Sequence, residues 1–302
     1  MSCGAELREG QTFAGTSSIV RWANFVKLPH TVFALPFAVV GVIIASYRAP
    51  VTPAAVGWVL LAFTAARFSA MGFNRLVDRY IDARNPRTSG RELPAGRIDP
   101  RQARAAVAVA IVAFISAAWQ LNPLCGRLAP VALAWILCYS YTKRFTAWSH
   151  LVLGLGLGIA PVGGFLAVTG AWPAPWWGLV SLAFAVMTWV AGFDVLYSLQ
   201  DLEFDRRERL HSIPARHGPG TAVVVARVLH AASIALLALT GMAFAGTRGW
   251  LAGVVVAMGL LGWEHRLVRG DDLRNLNAVF FTMNGVISIT FCVILLAGRI
   301  FA

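Results

Sequence analysis

Asn74, Asp78 and Asp82 are spaced four residues apart. At 3.6 residues per turn they share one helix face. A second set follows in GFDVLYSLQDLEFDRR, residues 192–207: Asp201 and Asp205 are again one turn apart, and Asp194 lies two turns before Asp201. Gly-Phe introduces both sets, as Gly72-Phe73 and Gly192-Phe193. Clustered carboxylate and amide oxygens suit a hard divalent cation. Mg²⁺ takes one or two protein carboxylates and completes its shell with water and phosphate oxygens. Two such sets face to face would hold a diphosphate through bridging Mg²⁺, with Lys143, Arg144, Arg206 and Arg207 neutralising the remaining charge. A plainer reading pairs the acids with nearby loop arginines. A single DxxxD, a common spacing, favours that reading; two copies, each with its Gly-Phe at a helix end, argue against it.

The elements that must position these groups are apolar helices. Of the 302 residues, 58% are hydrophobic and 13% charged, about half the charged share of an ordinary soluble domain. Nine apolar segments, at approximately 19–46, 53–77, 102–121, 127–142, 149–170, 176–200, 219–245, 249–265 and 275–298, are separated by proline and glycine breakers. With the N-terminus inside, sixteen basic residues fall in the loops of the cytoplasmic side and four (Arg48, Arg127, Arg248, Arg299) on the other. That is the positive-inside bias. It accounts for the net charge of +12 without a nucleic-acid partner. The expected fold is all-α: a polytopic membrane protein with nine transmembrane helices around a central cavity open to the cytoplasmic face. Residues 1–18 are read as a polar tail without a cleaved signal, and 19–302 as one domain. The N-terminus is placed in the cytoplasm and the C-terminus outside the inner membrane. The four cysteines, Cys3, Cys125, Cys138 and Cys292, make no CxxC and imply neither disulfide nor zinc.

NRLVDRYID and DLEFD resemble the NxxxDxxxD and DxxxD motifs of the UbiA superfamily of intramembrane prenyltransferases. KLPHTVFALPFA, RNPRTSGRELPAG, YSYTKRFT and LHSIPARHG are similar to its 4-hydroxybenzoate polyprenyltransferase branch, menaquinone-pathway relatives included. The resemblance implies a nine-helix bundle that transfers a polyprenyl group from an allylic diphosphate to a ring carbon of an aromatic acid. The acceptor expected first is 4-hydroxybenzoate; a dihydroxynaphthoate is the alternative. Asn74, Asp78 and Asp82 would form one Mg²⁺-diphosphate site, and Asp201 and Asp205 the other. Arg75 stands where many members have Asp, and would give the diphosphate a cation or snorkel to the interface. Lys143, Arg144 and Arg206 are further diphosphate candidates.

The allylic cation needs a dry pocket with aromatic faces. Asp194 would polarise or deprotonate the acceptor hydroxyl. Lys27, His30 or Arg144 would hold its carboxylate. Membrane lipid surrounds the bundle, and no protein partner is implied. The loop from Asn85 to Gly96 is too long for a bare connector and is expected to fold over the site. Gly154 and Gly158 form a GxxxG for close helix packing. The competing class is an ion-coupled transporter. Against it, both acidic sets sit at one membrane face, and their helices run in the same direction.

Overall fold

The computed structural model describes residues 13–15, 17–267 and 276–301, with backbone alone for 29–33 and 276–281. The described residues are all helical apart from turns and loops, with no strand. The helices are α1 (Ser18–Phe25), α2 (Leu28–Ser46), α3 (Pro53–Arg84), α4 (Pro100–Leu121), α5 (Pro123–Thr142), α6 (Ser149–Thr169), α7 (Trp177–Tyr197), α8 (Leu202–Arg207), α9 (Ile213–His217), α10 (Pro219–Ala243), α11 (Trp250–Leu267) and α12 (Leu276–Ile300). Among the described residues, seven spans are long and apolar enough to cross a membrane: α3 to α6, α7 extended to Arg207, α10, and Thr282–Ile300 of α12.

The segment expected as one helix over 19–46 is two. Lys27 adopts a left-handed conformation, φ 47°, and Pro29 lies in the first turn of α2. Proline has no N–H and restricts the residue before it, so the chain stops and restarts there. The second expected helix ends later than 77: α3 runs to Arg84, taking Asp78 and Asp82 into the same helix as Asn74. Thr52, Asp99 and Asn122 cap α3, α4 and α5 with side-chain oxygens that accept backbone N–H bonds.

α7 lies at the centre. It is apolar around most of its circumference and buried along its length, as an enclosed helix must be. Close packing depends on missing side chains. A Cβ at Gly154 or Gly158 of α6 would run into the backbone carbonyls of Met187 or Ala183 in α7, and one at Gly164 into that of Ala38 in α2. The GxxxG therefore brings two backbones together, as its spacing predicts. The two Gly-Phe glycines are also packing points. A Cβ at Gly72 would meet Val107 of α4, and one at Gly192 would meet His230 of α10.

Candidate active site

The first acidic set sits at the end of α3, where Asn74 Nδ2 donates to Asp78 Oδ2 at 2.9 Å. The second sits where the chain leaves α7. After Tyr197 the helix tightens into a 3-10 turn, Ser198–Asp201, and continues as α8. Asp201 thus ends the turn and Asp205 lies one helical step on. Asn74, Asp78, Asp82, Asp194, Asp201 and Asp205 all line one polar hollow of about 160 Å³.

Every carboxylate in the hollow has a nitrogen partner. Arg144 Nη2 lies 2.9 Å from Asp78, and Arg91 Nη1 2.7 Å from Asp82. Lys143 Nζ is 3.3 Å from Asp205. Arg87 donates twice to Asp201, from Nε at 2.8 Å and Nη2 at 2.5 Å, and Asn85 Nδ2 donates to it at 3.0 Å. His150 Nδ1 lies 2.7 Å from Asp194 Oδ2. The plainer reading was right that loop arginines pair with these acids, yet the pairs converge on one hollow. Burial opposes the charge on Lys143, but Asp205, Asp201 and Asp194 outweigh it and hold its ammonium above the ordinary lysine range. Burial likewise opposes the Arg87 guanidinium, and its bonds to Asp201 outweigh it.

Arg87 and Arg91 come from the loop between α3 and α4, which lies over the hollow as expected. Its packing explains its placement. Leu93 and Ile98 are buried with Phe25, Leu76, Ala103 and Val107, and Thr88 Oγ1 donates to the Asp82 carbonyl at 3.0 Å. Arg97 pairs with the buried Glu92 at 3.3 Å.

A second space of about 350 Å³ adjoins the first, and Asn74, Tyr139, Asp194 and Tyr197 line both. Its walls are mostly aliphatic, with Phe63, Phe114 and Phe193. Two cationic side chains reach it, Lys27 and Arg67. Lys27 Nζ lies 5.9 Å from the centre of the Tyr197 ring. Arg67 Nε is buried with no hydrogen-bond partner among the described residues.

Two expected diphosphate ligands lie elsewhere. Arg75 is 2% exposed, does not line the hollow, and donates from Nε to the Phe25 carbonyl at 3.3 Å. It faces α1, not the hollow, because it is one position after Asn74 and so about 100° round α3. Arg206 is exposed and lies 3.6 Å from Glu203. It follows Asp205 immediately and points away for the same reason. The His30 side chain lies outside the described residues. Sequence spacing did not reveal Arg67, Tyr139 or His150. Arg67 carried one signal, as the lone charge in the apolar run 53–72, seven residues or two turns before Asn74.

Fold and site together define a helical membrane protein with a charge-lined hollow adjoining an apolar chamber. Comparison with known proteins agrees: the UbiA prenyltransferase family model matches residues 34–286, and the chain belongs to that family. It is a multi-pass membrane prenyltransferase. A 4-hydroxybenzoate octaprenyltransferase of Herminiimonas arsenicoxydans is 31% identical over 231 residues, 74% of this chain and 79% of that protein. The mitochondrial 4-hydroxybenzoate polyprenyltransferase of Schizosaccharomyces pombe is 29% identical over 64% of this chain, and the match spans about half (52%) of that protein's length. Among solved structures, the apo form of a UbiA homolog from Aeropyrum pernix K1 superposes with a TM-score of 0.78 at 32% identity, covering 90% of this chain and 97% of that one. A UbiA homolog from Archaeoglobus fulgidus bound to DMAPP and Mg²⁺ has a TM-score of 0.68 at 18% identity over 93% of this chain and all of the other.

Proposed function

We propose that the chain transfers a polyprenyl group from an allylic polyprenyl diphosphate to a ring carbon of 4-hydroxybenzoate in quinone biosynthesis, with Mg²⁺ as cofactor. The observation that carries this is a charged hollow adjoining an apolar chamber, with Asn74, Tyr139, Asp194 and Tyr197 lining both. A diphosphate head with a long hydrocarbon tail needs both at once. The relatives named as 4-hydroxybenzoate prenyltransferases support the acceptor.

The donor set fits Mg²⁺. Among the described residues no three acidic, histidine or cysteine side chains converge as a complete metal cage. Mg²⁺ does not require one, since substrate phosphate and water fill most of its shell. Asn74, Asp78 and Asp82 would hold one ion, and Asp201 and Asp205 a second. Among the described residues the hollow's five aspartates outnumber its four side-chain cations, Arg87, Arg91, Lys143 and Arg144. An incoming diphosphate therefore needs additional positive charge. Mg²⁺ held by these residues would supply it and would offset the negative charge of the leaving diphosphate.

The chain's own groups do the rest. Lys143 and Arg144 hold diphosphate oxygens. The loop carrying Arg87 and Arg91 keeps water from the allylic cation, and the rings of Tyr139, Tyr197 and Phe193 face it. Asp194, shared by both spaces, takes the acceptor's hydroxyl proton. Arg67 binds the acceptor carboxylate, with Lys27 a second cation at the chamber wall.

In this reading residues 19–302 form one domain of nine spans, seven of them the helices named above. The hollow faces the cytoplasm, with the N-terminus on that side and the C-terminus outside the inner membrane. The sixteen-to-four asymmetry of basic residues supports the orientation. The test is transfer by membranes containing the protein, given labelled polyprenyl diphosphate and Mg²⁺. Labelled 3-polyprenyl-4-hydroxybenzoate is expected. Exclusive labelling of a dihydroxynaphthoate offered in competition would overturn the acceptor, and ion flux without any transfer would overturn the enzyme.

A further inference from the structure

His150 opens α6, 44 residues from Asp194 in sequence, and its side chain is completely buried. Nothing in that position calls for an imidazole. Burying a polar ring has a cost unless it is bonded. The ring makes one hydrogen bond, Nδ1 to Asp194 Oδ2 at 2.7 Å, and Nε2 is buried with no partner among the described residues. An ionised carboxylate only accepts, so this bond forms with the hydrogen on Nδ1.

We propose that His150 is a positioning residue: its Nδ1–H fixes the Asp194 carboxylate, at the junction of the head hollow and the tail chamber, as the base that takes the acceptor's hydroxyl proton. The inference rests on the prenyl-transfer reading above. The Asp194 side chain is 18% exposed, and both spaces include it. With Oδ2 held by His150, Oδ1 is the oxygen that takes the acceptor's proton. Without His150 the carboxylate loses the bond that orients it.

The step balances. The acceptor's O–H proton passes to Asp194, and that bond's electron pair moves into the ring. The ring carbon forms the new C–C bond to the allylic carbon, whose C–O pair has left with the diphosphate. The resulting dienone regains aromaticity when the proton on the substituted carbon moves to the oxygen. Asp194 then releases its proton to water. A fixed carboxylate accelerates only the attack. Ionisation of the donor does not depend on it.

The experiment measures kcat and both KM values for His150→Leu, His150→Asn, His150→Gln, Asp194→Asn and the His150→Leu/Asp194→Asn pair, together with prenol released from the labelled donor. The Asn amide nitrogen can stand near Nδ1, whereas that of Gln stands near Nε2. Loss of an oriented base is expected to lower kcat for transfer about 10²-fold in His150→Leu, with both KM values within about threefold. Prenol should rise relative to prenylated acid. His150→Asn should recover most of the rate and His150→Gln little. Adding His150→Leu to Asp194→Asn should cost under about threefold more, because the two residues act as one unit. Unchanged kcat in His150→Leu, equal impairment of the Asn and Gln variants, or multiplying losses in the pair would each overturn the assignment. If His150→Leu fails to fold, the Asn and Gln variants decide. A wild-type protein that transfers to no aromatic acid would sink the parent reading. A wild type that transfers, beside an equally active His150→Leu, would sink this inference alone.

Discussion

Replacing Arg67 with Leu tests the acceptor end of the site. The guanidinium sits in a chamber with mostly aliphatic walls, and its Nε has no partner among the described residues. Removing it therefore breaks no hydrogen bond at Nε, so folding is not expected to suffer. The loss should fall on the ligand. A charge-assisted hydrogen bond contributes about 1.5–3 kcal/mol, and each 1.4 kcal/mol is about tenfold. The KM for 4-hydroxybenzoate should rise about 10- to 150-fold, while the KM for the polyprenyl diphosphate stays unchanged. The assay compares 4-hydroxybenzoate with phenol, which lacks the carboxylate, on wild type and Arg67→Leu. Wild type should prefer the acid strongly, and the variant should treat the two nearly alike. If the preference for the acid survives in Arg67→Leu, the carboxylate is held elsewhere, and Lys27 becomes the candidate.

Shortening the loop between Asn85 and Gly96 should raise hydrolysis of the donor relative to transfer, read as the ratio of prenol to prenylated acid; an unchanged ratio would make the loop a connector only. Arg144→Gln should raise the KM for the polyprenyl diphosphate without changing that for the acceptor, because its partner Asp78 belongs to the diphosphate side. Gly158→Leu should destabilise the protein by roughly 1–3 kcal/mol through overpacking, read as a lower Tm in detergent, because a Cβ placed there would run into the Ala183 carbonyl. Lys143 is held above its ordinary 10.5 by the surrounding aspartates. Its ion pair is therefore fully present below that pH and lost only as pH rises through the raised value. Lys143→Arg should leave the pH profile of transfer unchanged between about pH 6 and 9, and a shifted limb there would contradict the assignment.

What spacing encodes was legible in the sequence. Asn74, Asp78 and Asp82 share a helix, and a period of four puts them together whatever surrounds them. The two acidic sets meet because each ends a helix on the same side of the bundle. Gly154 and Gly158 declared a close helix contact. Contacts between helices were not legible. His150 meets Asp194 across α6 and α7 at a separation that carries no periodic signal. Tyr139 reaches the junction only because α5 packs beside α3. Arg75 and Arg206 were misplaced because adjacency in sequence was taken for adjacency in space, whereas the next residue on a helix points about 100° away. The break at Lys27 was hidden by apolar composition on both sides, although Pro29 marked it.

The central claim is that the Asp78/Asp82 and Asp201/Asp205 pairs jointly hold one diphosphate through Mg²⁺. Isothermal titration of the purified protein with a polyprenyl thio-diphosphate, over a range of Mg²⁺ concentrations, tests it most directly. Wild type should take up two Mg²⁺ per analogue bound. Asp78→Asn and Asp201→Asn should each lose one ion and weaken binding, and the double variant should show no Mg²⁺-dependent binding. Equal affinity and equal metal uptake in wild type and both single variants would contradict the account.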